Sequence, residues 1–413
     1  MSDTPHPDAA AAIARLVPVE TTRAVAILTR IAGDIGLAED AVQDALAAAL
    51  AHWPVAGVPP SPVGWIVTTA KRKLIDRLRR ESSREARHVE ATALEALGRA
   101  DGDSDEAGGA IADDRLRMLF TCCHPALAPQ VRVALTLRLV GGLTTAAIAR
   151  AFLVPEATMA QRITRAKHKI RDARIPYRVP DAADLPERLA GVLAVVYLVF
   201  NEGYTASSGD QLTRGDLCTE AIRLGRLLRD LLPREPEVAG LLALMLLVDA
   251  RRHTRTSADG DLVLLGDQDR TRWDRARIDD GHALVRECLR VNRPGPYQLQ
   301  AAIQAVHTDA PSAAATDWPQ ILALYDQLLV VQPTPIVALN RAVAVAEVRG
   351  PAEALALVDA LPLGGFHVFH AVRADLLRRL GRVADAALAC DAAIAATANE
   401  AERAFLRQRR AAR

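Results

Sequence analysis

Apolar residues in the first fifty positions recur every three or four places, at Ile27 and Ile31 and then at Val42, Leu46 and Leu50. That spacing puts them on one face of a helix, so 12–53 read as helices. The stretch Pro54–Pro62 (PVAGVPPSP) then reads as a break, because proline lacks an N–H and its ring clashes with the preceding turn. Helical spacing returns over Trp65–Arg80, where Trp65, Ile66, Leu74, Ile75 and Leu78 alternate with basic residues. No apolar period runs through Gly98–Ala110 (GRADGDSDEAGGA), which predicts a flexible acidic tether within 89–110. A second small unit follows over about 111–175 and ends at Pro176 and Pro180.

Beyond residue 185 the helix-length segments are Leu189–Phe200, Leu217–Leu232 and Val238–Arg251, separated by Gly203–Gly209 and by Pro233 and Pro236. Asp259–Asp274 is acidic and turn-prone, and 297–400 alternates helix-length segments with short Pro or Gly turns. Leu339–Leu355 and Ala371–Leu388 share a pattern of a small-residue helix, a glycine, and a second helix. Gly350 and Gly381 lie 31 residues apart, near the 34-residue period of tetratricopeptide repeats.

Composition supports an all-α reading: half the residues are hydrophobic but only 4% are aromatic, and alanine-rich, aromatic-poor sequence suits helices better than sheets. The net charge of +1 averages unlike segments. Lys71–Arg87 holds eight basic residues against three acidic, and Glu156–Arg178 holds seven against two. Two basic helices are what a protein that grips phosphates at two places requires, although a solvated helix face reads the same way. Five cysteines without framework spacing and an N-terminus unlike a signal peptide predict a reduced, soluble, cytoplasmic protein. The longest apolar runs are too short to span a bilayer, so no membrane partner is expected.

Thr144–Phe152 reads as a short helix capped by Thr144, with Leu153-Val154 as a turn and Pro155 at the first position of a second helix running to Arg171. Ile148, Val154, Met159 and Ile163 fill the space between the two helices. Polar residues at the start of the second helix and basic ones later fit a helix-turn-helix, which reads bases with its tip and holds phosphates with its tail. A helical hairpin with no DNA role gives the same pattern, and Leu153 stands where a left-handed backbone favours glycine.

These segments together resemble the extracytoplasmic-function (ECF) RNA polymerase sigma factors. Ala38–Asp44 is similar to region 2.2, and Pro62–Arg80 is similar to regions 2.3 and 2.4. Residues 131–171 resemble region 4.2. Asn201-Glu202-Gly203-Tyr204, the Asp259–Asp274 stretch and the repeat-like tail resemble a subgroup with a long tetratricopeptide-type extension. The resemblance implies region 2 over 10–88, a linker over 89–110, region 4 over 111–178, a helical extension domain over 185–293 and repeats over 294–413. It also implies Glu39, Asp40, Gln43 and Asp44 as polymerase-docking residues. Trp65, Lys71, Arg72, Lys73, Arg77, Arg79 and Arg80 would bind the −10 element, though the apolar pair Trp65-Ile66 reads more readily as plain core. Glu156, Thr158, Gln161, Arg162, Arg165, Lys167 and Lys169 would bind the −35 element. Arg72 stands where members often carry Asn, and Ala160 where Lys is common, which bears on promoter preference.

The partners implied are core polymerase, through the β′ clamp helices and the β subunit, and promoter DNA. Stacked helical pairs would offer a protein or peptide partner a concave face, so the extension is expected to regulate. No catalytic motif, P-loop or dinucleotide fingerprint is found, so no enzyme activity and no cofactor is expected. Adjacent Cys122 and Cys123 point about 100° apart on a helix and suit packing better than metal binding. Asp259, Asp261, Asp267 and Asp269 lack calcium-loop spacing and read as caps and turns. The main alternative is a polymerase-independent regulator with one helix-turn-helix and a repeat sensor domain, which would have no use for 38–80. An enzyme would have to use Glu202, Tyr204 and Asp267–Asp269, and nothing names its chemistry.

Overall fold

Most described helices form where the apolar spacing places them, with departures at Pro54 and Ala107. The computed structural model describes residues 21–85, 107–152, 154–206, 212–257 and 261–411. Among these the only β pairing is an isolated bridge between Thr256 and Leu262. Residues 12–20, Leu153, Asp259 and the acidic positions Asp101, Asp103, Asp105 and Glu106 lie outside the described residues. The chain divides into two compact units, Met1–Val195 and Val196–Arg413.

The first unit begins with α1 (21–32), α2 (Ile35–Ala56) and α3 (Pro62–Glu85). Asp34 caps α2 by accepting the Leu37 N–H at 2.9 Å. Ala38, Ala41, Val42, Ala45, Ala49 and Trp53 form its buried face. The expected break at Pro54 starts later, because Pro54 lies inside the last turn of α2. Trp53 is 1% exposed and anchors that turn, and the Gly57 N–H closes it on the Trp53 carbonyl at 2.9 Å. Next come α4 (Ala107–Cys122), α5 (Pro129–Leu139), α6 (Thr145–Ala151) and α7 (Glu156–Asp172). α4 opens at Ala107, four residues inside the stretch read as tether, despite the weak helix propensity of Gly108 and Gly109. Pro155 is the cap residue rather than the first helical residue of α7, with ψ 142°. Cys122 and Cys123 are buried, and the Cys123 sulfur lies 3.4 Å from the Thr136 hydroxyl.

α8 (Leu185–Tyr204) runs across the boundary between the units, and the second unit continues with α9 (Gly215–Leu231) and α10 (Pro236–Asp249). Every residue of α10 except Glu237 is buried, as expected of a helix that is apolar all round. Around it pack α9, α11 (Arg275–Val291) and α12 (Pro296–Asp309). Glu237 is half-buried, and its carboxylate accepts the N–H groups of Tyr297 and Gln298 at 3.1 Å each, capping α12, while the buried Asp249 at the other end of α10 pairs with Arg252 and Arg277. The acidic stretch forms 3-10 turns. There Asp269 accepts from Thr271 and Asp274 caps α11 by accepting from Arg277. Glu202 pairs with Arg214 at 3.2 Å, and the Tyr204 ring lies 3.8 Å beneath Arg255, which gives both structural roles.

The tail comprises α13 (Trp318–Val331), α14 (Pro335–Val348), α15 (Pro351–Asp359), α16 (His367–Arg379), α17 (Val383–Ala396) and α18 (Glu400–Ala411). Each packs on the next, around a core containing Ile321, Leu339, Val345, Val358 and Leu377. Gly350 and Gly381 sit between helices with φ of 101° and 74°, a conformation in which a side chain is strained. The repeated glycines therefore mark equivalent turns, α14–α15 and α16–α17.

Candidate nucleic-acid interface

The helix-turn-helix is built by packing. The Ala147 N–H donates to Thr144 Oγ1 at 3.1 Å, the cap anticipated for α6. Met159, Ile163, Ala166 and Ile170 bury one face of α7, against α5 and α6. The opposite face carries Glu156, Gln161, Arg162, Arg165 and Lys169 into solvent, while Thr158 is half-buried. A helix tip with polar side chains followed by exposed guanidinium and ammonium groups can reach base edges first and phosphates after. Between α5 and α7 a cavity of about 380 Å³ is lined mainly by Val131, Ala134, Phe152, Met159 and Ile163. Its apolar lining suits an inserted aliphatic or aromatic side chain.

On α2, Asp40, Gln43 and Asp44 are exposed and lie on one stripe, spaced three and four apart. Asp40 is bridged to Arg77 of α3 at 2.9 Å. On α3, Arg72 is exposed, whereas Lys71, Lys73 and Arg77 are half-buried, and the exposed Asp76 interrupts the basic run. Side chains of Arg79 and Arg80 lie outside the described residues. Trp65 is half-buried: its ring meets the buried Trp53 edge-on at 5.5 Å and stacks on His52 at 6.1 Å.

Two of the expected contact residues face each other instead of solvent. Lys167, on the basic tail of α7, is paired with Glu39 of α2, and both are largely buried. The other Glu39 oxygen lies 3.7 Å from Arg138 of α5. One turn along α7, Arg171 approaches Asp34 at 3.9 Å. A second junction lies deeper. Asp114 of α4 is 1% exposed and bonded to Arg30 of α1 at 3.0 Å and to Arg117 at 2.8 Å. Burial raises its carboxyl above the usual range, and the two guanidinium groups pull it back. The Tyr177 hydroxyl reaches the carbonyls of Ala26 at 2.8 Å and Asp114 at 3.0 Å, and burial raises that phenol strongly. A cavity of about 280 Å³ remains at this junction, between Thr29, Asp34, Lys167, Arg171 and Tyr177.

Sequence reading missed Asp34, Arg138, Arg171, Arg30, Asp114 and Tyr177 as junction residues. None of them stands out from its neighbours in the sequence: even Asp114 follows Asp113 and precedes Arg115 and Arg117 in α4. Among the described residues, no helix is long and apolar enough to cross a membrane.

Comparison with known proteins finds three family matches along the chain. The family described as Sigma-70 region 2 matches residues 20–84, and Sigma-70, region 4 matches 117–170. A family of unknown function, DUF6596, matches 188–289. An uncharacterized protein of Rhizobium meliloti is 45% identical over 98% of this chain and 96% of its own length. The ECF RNA polymerase sigma factor SigK of Mycobacterium ulcerans is 30% identical over 37% of this chain and 76% of its own. The probable ECF RNA polymerase sigma factor SigI of Mycobacterium tuberculosis is 31% identical over 37% of this chain, a match spanning about half of that protein. No solved structure matches.

Proposed function

The chain belongs to the extracytoplasmic-function (ECF) family of RNA polymerase sigma factors and carries a helical C-terminal extension, and from that premise we propose how its parts divide the work of initiation. Asp40, Gln43 and Asp44 on α2, with Glu39 once it is released, dock on the β′ clamp helices. Arg72 with Lys71, Lys73, Arg77, Arg79 and Arg80 holds the −10 strand, and Trp65 offers the exposed part of its ring to an unstacked base. Glu156, Thr158 and Gln161 read the −35 element, while Arg162, Arg165, Lys167 and Lys169 hold its phosphates. The apolar cavity between α5 and α7 receives a side chain of the β subunit. The second unit sets the activity of the first, in response to a protein or peptide partner on its stacked helices.

The observation that carries this reading is the two-faced α7, with four residues buried at helical spacing and polar and basic side chains on the other side. Two comparisons test it. Reversing Asp40 and Asp44 to Lys is expected to weaken core-polymerase binding at least tenfold while leaving −35 duplex binding unchanged. Initiation by the full chain and by a chain ending at Asp181, with core binding measured for both, then gives the sign of the extension's control. Equal initiation by the two would remove the regulatory role.

A further inference from the structure

The ion pairs between α2 and α7 join two groups that the proposed function needs elsewhere. Glu39 lies on the docking helix, and Lys167 lies on the phosphate-holding tail of the recognition helix, yet here they neutralise each other. Arg138 and Arg171 add cations from the helix-turn-helix side, facing Glu39 and Asp34. Beneath them Arg30 is bonded to the buried Asp114, and Tyr177 ties α1 to α4. The Arg171–Asp34 contact is partly solvated and weak on its own, whereas the largely buried Glu39–Lys167 pair leaves an uncompensated charge when it opens, so a partner must take over one of its members. The inner cluster fixes the register in which they meet.

We propose that this closure is autoinhibitory: the docking acids of region 2 and the phosphate-binding cations of region 4 mask each other until core polymerase or −35 DNA takes one of them away. The idea rests on the functional assignment above for its consequence, but the closure itself can be measured independently. In a closed state Lys167 cannot hold a phosphate and Glu39 cannot meet a polymerase cation. Binding of either partner therefore opens the pair and assists the other. The apparent affinity for each partner is reduced by the fraction of molecules that are open.

Spin labels on Ala51→Cys and Ala173→Cys of the full chain, both exposed positions, report the separation of α2 and α7. The five native cysteines are buried and leave the labelling specific. One narrow distance is expected for the otherwise unaltered chain, with broadening in Glu39→Lys and again in Lys167→Glu. The double exchange, Glu39→Lys with Lys167→Glu, restores the narrow distance, an outcome that misfolding would not give. Arg30→Gln with Tyr177→Phe touches neither binding surface, and it is expected to bind core polymerase and −35 duplex about tenfold tighter than the unaltered chain. A broad distance in the unaltered chain, no rescue by the exchange, or unchanged affinities in the Arg30–Tyr177 variant would overturn the proposal. If the distances behave as expected but neither polymerase nor DNA binds any form, the closure stands and the sigma assignment of these surfaces fails.

Discussion

Asp114 shows how one buried carboxylate can hold two helices together. It is 1% exposed and shared between Arg30 and Arg117, whose side chains are 45% and 26% exposed. Removing it as Asp114→Ala strands two cations, but both can turn partly to water. The expected loss is therefore about 2 kcal/mol, below the 3–5 kcal/mol typical of breaking a fully buried pair, and urea unfolding of the full chain measures it. His307 makes the opposite case in the second unit. Burial, aided by Arg251 and Arg270, lowers its pKa from 6.5 to about 4. The unfolded chain therefore binds the proton more readily than the folded one. Stability is complete above pH 6.5 and falls as the pH drops toward 4. Between pH 7 and pH 5 this residue accounts for about 2 kcal/mol. His307→Gln, which does not titrate, is expected to flatten that part of the unfolding profile, and an unchanged slope would contradict the burial argument.

At the scale of helices, α10 owes its central place to close approach. A Cβ on Gly240 would lie 2.7 Å from the Gln298 nitrogen, in the backbone of α12. Gly240→Ala is expected to separate the two helices and cost about 1–3 kcal/mol, read as a lower melting temperature of the full chain. On α7 the consequence is electrostatic. Arg162→Ala with Arg165→Ala is expected to weaken −35 duplex binding for all sequences alike and to reduce the salt slope by about 2. These elements were legible because α7, α2 and the tail carry regular spacing, and Thr144, Gly350 and Gly381 mark their ends. A helix end set by tertiary packing was not legible, as at Pro54, held helical by the buried Trp53, and neither was the start of α4 at Ala107, where no apolar period runs. The pairing of Glu39 with Lys167 was hidden for a related reason. Both residues read as surface charges in their own helices, and only the meeting of α2 with α7, 128 positions apart, turns them toward each other.

At the scale of the molecule, the exposed face of α7 and the acidic stripe on α2 belong to one compact unit, and the extension forms a second unit with its own core. A regulator that works without polymerase would need the first of these surfaces but not the second. Transcription in vitro separates the two accounts most directly: the full chain is added to core polymerase on a pooled library of upstream DNA, and the start sites are mapped. Initiation from a restricted set of sequences, absent with core polymerase alone, is the predicted result. Binding of the chain to duplex DNA without any recruitment of core polymerase or any new start sites would contradict it.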